Sequence, residues 1–117
     1  MSSHIAESDW RHFKRVRSEL LERYCARVLD ELAASLKARE GTAHDRYIRV
    51  YKLLTDRDED MARAFDDFRR STAVMQLAIM RSMGLVTDED LNGFSEHTQV
   101  QVRGITSIAG AEPGGRT

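Results

Sequence analysis

This chain has little of what interrupts a helix and little of what carries covalent chemistry. Its 117 residues include one proline, Pro113, near the end, and no glycine before Gly41. Nothing in the first forty positions therefore breaks a helical hydrogen-bond ladder. Cys25 is the single cysteine, which excludes an internal disulfide and fits a reducing compartment. No apolar run approaches the roughly 20 residues of a membrane span. Residues 1–7 lack the basic-then-apolar pattern of a secretory signal. The formal net charge of −1 gives no broad field to steer polyanions or anionic lipid. These absences lead to the expectation of a one-domain cytoplasmic protein with no membrane partner.

What the chain does have is charge, 32% of residues, interleaved with apolar residues at helical spacing. The fold class expected is all-α: a long antiparallel helical hairpin plus one or two short C-terminal helices, within a single domain over residues 1–108. A first helix is expected over about 8–40, capped by Ser8 and stopped at Gly41. A second is expected over about 43–83, ending at Gly84. Short helices follow over about 87–92, capped by Thr87, and about 95–104, capped by Ser95. The Gly-rich tail, 109–117, is expected to be disordered. One ambiguity lies inside the second helix. The stretch from Thr55 to Asp60 reads like a helix start, yet the apolar phase runs through it unchanged.

That phase is the main signal. Tyr47, Tyr51, Leu54, Asp58, Met61, Phe65, Phe68, Thr72, Met75 and Ile79 advance by alternating steps of four and three. Such a stripe keeps one seam of a helix against a partner. A hairpin turning between Thr42 and Ala43 supplies that partner from Trp10, Phe13, Leu20 and Tyr24 of the first helix. The same register sets Arg27 opposite Asp58, two charged misfits expected to form a seam ion pair that fixes alignment.

The first helix has more apolar surface than one partner covers. Leu21, Val28, Leu29, Leu32 and Leu36, together with Val74 and Leu77 of the second, are expected to join two copies into a four-helix core.

The chemical motifs are sparse. His4, His12, His44 and His97 show no metal-ligand spacing, and there is no phosphate loop or nucleophile elbow. Cys25 reads as an inert thiol beside an apolar face. No cofactor, metal or catalytic residue is expected. Arg11, Lys14 and Arg15, with Arg17 nearby, form a basic helix face with interleaved aromatics, the one nucleic-acid signal present. Three functions follow in order of support. The first is a homodimeric protein-interaction or regulatory module, which would hold another protein as well as itself. The second is a nucleic-acid-binding regulator. The third is a ligand-binding or catalytic bundle using Arg17, Arg27 and Asp58 as internal charges.

Overall fold

The computed structural model describes residues 5–109, and every regular element among them is helical. Helix α1 spans Glu7–Lys37 and α2 spans Ala43–Phe65. A 3-10 turn, Arg70–Thr72, leads into α3, Ala73–Ser82. Helix α4 is a single turn, Asp88–Leu91, and α5 runs Glu96–Ala109. The Gly-rich tail beyond Ala109 lies outside the described residues.

Tertiary anchors set both ends of α1. Ile5 is fully buried, and Arg70 donates to its carbonyl and pairs with Glu7 at 2.7 Å. The chain therefore enters the helix at Ala6, and Ser8 lies inside the first turn instead of capping it. At the other end, Arg46 donates to the carbonyls of Leu36 and Ala38, and Arg49 to that of Glu40. These cations take the terminal carbonyls that another helical turn would use, so α1 stops at Lys37 and not at Glu40. Gly41 then takes a left-handed φ of 86°. Thr42 and Asp45 form a reciprocal capping box that starts α2.

The second helix is not continuous to Met83. It runs unbroken through Thr55–Asp60 and ends at Phe65, ten residues past the start of the suspect stretch. Asp67 adopts a left-handed φ of 56°. The Thr72 hydroxyl donates to the Asp67 carbonyl, and the buried Gln76 amide donates to the carbonyls of Asp66 and Asp67. Phe68 turns onto Trp10, with ring centroids 4.8 Å apart, and onto Phe13 at 5.2 Å. The break trades one turn of helix for an aromatic cluster, and it redirects α3 to pack against α5.

The core sits at that end of the molecule. Phe13, Leu77, Met80, Leu85, Leu91 and Val102 are fully buried there. Val74 and Leu77 belong to this core and not to any outward face. Two side chains tie α1 to the C-terminal helices. Asp9 accepts from the Ser95 amide and hydroxyl and from the Thr98 hydroxyl, at 2.6–2.8 Å. Arg23 pairs with Asp90 at 2.6 Å and donates to the Leu85 carbonyl. Asp90 itself completes the Thr87 capping box of α4. Val100, Val102 and Ile105, whose spacing also suits a strand, lie in α5.

Candidate interaction surface

Helices α3 to α5 cover α1 only as far as Arg27, which donates to the carbonyls of Met83 and Gly84. Past that level α1 has, among the described residues, only α2 for a neighbour. The two helices run out as an arm, and the molecule measures 54 × 27 × 23 Å.

Along its length, α2 turns Val50, Leu53, Arg57 and Ala64 toward α1. All four are buried or half-buried. Arg57 makes a bidentate pair with Glu31, at 2.8 and 3.1 Å, and the Tyr24 hydroxyl donates to the Arg57 carbonyl. These contacts lie within about one helical turn of the register expected from the hairpin turn.

The expected seam is corrected in two ways. The Arg27–Asp58 pair does not form: Arg27 is engaged at the end of α3, and Glu31–Arg57 is the ion pair between the helices. Tyr47, Tyr51 and Leu54 do not face α1 but are 70%, 64% and 49% exposed. Successive helical residues are about 100° apart, so this stripe lies roughly a right angle from the Val50–Leu53–Arg57 line. Only where the stripe meets the compact end does it turn inward. Phe65 is buried and Met61, Phe68 and Ile79 are half-buried, against Trp10, Phe13, Leu20 and Tyr24. Met75, past the break, is exposed.

The outward stripe of α2 shares a side with an outward stripe of α1. A groove of about 290 Å³ runs between the helices, lined by Tyr24, Cys25, Val28 and Leu29 of α1 and Arg57, Asp58 and Met61 of α2. Leu29 and Leu36 are 63% and 55% exposed on that flank, while Leu21 and Leu32 are half-buried and Val28 is buried. Eight large apolar side chains stand exposed among the described residues, and six of them are on this arm. Asp58 lies on the groove rim and makes no ion pair among the described residues.

The basic face of α1 is at the other end. Arg11, Lys14 and Arg15 are exposed. Lys14 lies 5.5 Å over the Trp10 ring and Arg15 bonds His12 at 2.9 Å. Arg17 does not join them: it stacks 4.5 Å over Phe68 and donates to the Phe65 carbonyl. Arg17, Arg27 and Asp58 thus serve three separate places and assemble no common site.

A second cleft, of about 200 Å³, lies between α1 and the α4 turn, with His12, Glu19, Arg23, Glu89 and Asp90 on its walls. Burial pushes the Asp90 carboxyl up, but hydrogen bonds from Arg23 and the Thr87 cap outweigh it and hold the group below its ordinary range. Arg23 and Asp90 are fully occupied in structure-holding contacts. No cluster of three His, Cys, Asp or Glu side chains suited to a metal occurs among the described residues. No helix of the described residues is long and apolar enough to cross a membrane.

No protein-family model, curated protein or solved structure matches this chain. The arm's signal in the sequence is a pair of apolar stripes on α2, and the more aromatic of the two is the outer one.

Proposed function

We propose that this chain is a protein-interaction module that acts as a cytoplasmic homodimer and regulates by what it joins. The observation carrying this reading is the continuous apolar flank of the arm. Its exposed side chains Leu29, Leu36, Tyr47, Tyr51 and Leu54 leave on the order of 600 Å² bare, approaching the ~800 Å² that each partner contributes to a standard interface. Patches of that size on a soluble monomer mark binding surfaces. The opposite flank carries Asp30, Lys37, Lys52 and Asp56, all exposed, so the arm is apolar on one broad side only. Two such flanks face to face complete a four-helix core.

Light scattering on the eluting protein tests this. The expected mass is twice 13.4 kDa, falling to the monomer value in Leu29→Glu and Leu36→Glu. Wild-type protein eluting as a monomer at tens of micromolar would refute the reading.

A second reading rests on Arg11, Lys14 and Arg15, which are exposed and make no ion pair with an acid among the described residues. As a nucleic-acid face, doubled in a dimer, they would give binding that weakens steeply with salt. Binding unchanged in Arg11→Ala/Arg15→Ala removes this alternative.

A further inference from the structure

Resting on the homodimer reading, we infer that the two arms meet antiparallel about a twofold axis lying in the interface, level with Leu29 on α1 and Leu53 on α2. Tyr47 of each copy then sits against Asp58 of the other.

The register follows from the bare part of the α2 stripe. His44, Tyr47, Tyr51, Leu54, Asp58 and Met61 alternate in steps of three and four. A twofold contact requires that if one residue meets another, the second meets the first. Antiparallel seams pair the two kinds of position in each layer. One register keeps the whole stripe in contact: His44 on Met61, Tyr47 on Asp58, Tyr51 on Leu54. A slide of one heptad in one direction sets Tyr47 against Phe65, which is already buried. A slide the other way carries Asp58 and Met61 past the tip of the opposite arm.

Helix α1 agrees without having entered that choice. The contacts of Tyr24 with Arg57 and of Arg46 with Leu36 fix which level of α1 lies beside which level of α2. The axis crosses α2 between Lys52 and Leu53, so it crosses α1 level with Leu29. Leu29 of one copy therefore covers Leu29 of the other across the axis, and Leu36 lies about 10 Å further along the arm.

The chemistry of the groove fits the same arrangement. Tyr47 is the most exposed large apolar side chain on the arm. Its ring needs an apolar floor, which Cys25, Val28, Leu29 and Met61 supply. Its hydroxyl needs an acceptor, and Asp58 offers a carboxylate that no cation among the described residues of its own chain holds. An axis along the helices would instead lay Asp58 over Cys25 and Leu29 of the other copy, leaving a charge covered and unpaired.

Disulfide trapping tests the register in a Cys25→Ser background. Tyr47→Cys and Asp58→Cys are prepared as separate proteins and mixed under mild oxidation. The expected result is a cross-linked dimer on mixing and none from either variant alone. Identical residues would lie about 16 Å apart, beyond disulfide reach. A cross-link within either single variant, or none on mixing while sedimentation still gives a dimer, overturns the register and leaves the homodimer standing. A monomeric wild type overturns both. A double-mutant cycle with Tyr47→Phe and Asp58→Ala gives an independent readout. Each change is expected to weaken dimerisation about tenfold or more. The two together should weaken it no further than one; additive losses would mean the side chains do not meet.

Discussion

Asp9 shows how one side chain holds distant parts of this chain together. It is buried, and it gathers the Ser95 amide and the hydroxyls of Ser95 and Thr98 at the start of α5. Burial pushes its carboxyl up, but these hydrogen bonds outweigh that and hold it below the usual carboxylate range. Glu31 is held low chiefly by its hydrogen bonds from Arg57. Like Asp90, these carboxylates have folded-state values below their unfolded ones. The unfolded chain therefore binds more protons in acid. The stability they confer is full above the ordinary carboxylate range, about pH 4, and is lost as pH falls through the folded values. Asp9→Ala should cost about 2–3 kcal/mol in urea unfolding at pH 7 and flatten the acid limb of a stability–pH curve. The ion pairs separate just as cleanly. Arg27→Ala and Asp58→Ala should be additive in unfolding free energy. Glu31→Ala and Arg57→Ala should show a coupling below about 1 kcal/mol, because both groups are about one-third exposed.

At the scale of elements, what could be read from the sequence was local. Gly41 and Gly84 take left-handed conformations, and Thr42 and Thr87 cap the helices that follow them. Each of these signals lies within four residues of its effect. The break after Phe65 has no such signal. It depends on Phe68 reaching Trp10 and Phe13, and on Gln76 reaching back to Asp66 and Asp67. Gln76→Ala should therefore cost about 2 kcal/mol, by leaving the Asp66 carbonyl without its side-chain donor, with no loss of helix content in far-ultraviolet circular dichroism. The inner line of α2 was hidden for a related reason. Val50 and Leu53 are shorter and fewer than the Tyr47–Tyr51–Leu54 stripe, and apolar periodicity alone does not say which of two stripes meets the same chain and which meets another.

At the scale of the whole molecule, the core lies at one end and the bare apolar surface at the other. Asp9, Arg23 and Arg27 fasten α3 to α5 along the first two-thirds of α1, and beyond them two helices extend with one flank uncovered. This arrangement makes the stability of the arm depend on protein concentration, since its flank is buried only on association. Amide exchange in residues 29–57 should slow as concentration rises through the dimer dissociation constant, while exchange in α3 and α5 stays unchanged. The most direct test of the central claim is sedimentation equilibrium of the wild-type chain and of Leu36→Glu across micromolar concentrations. The expected result is a reversible monomer–dimer equilibrium for the wild type and a monomer for the variant. A wild-type chain that stays at 13.4 kDa throughout would contradict the account.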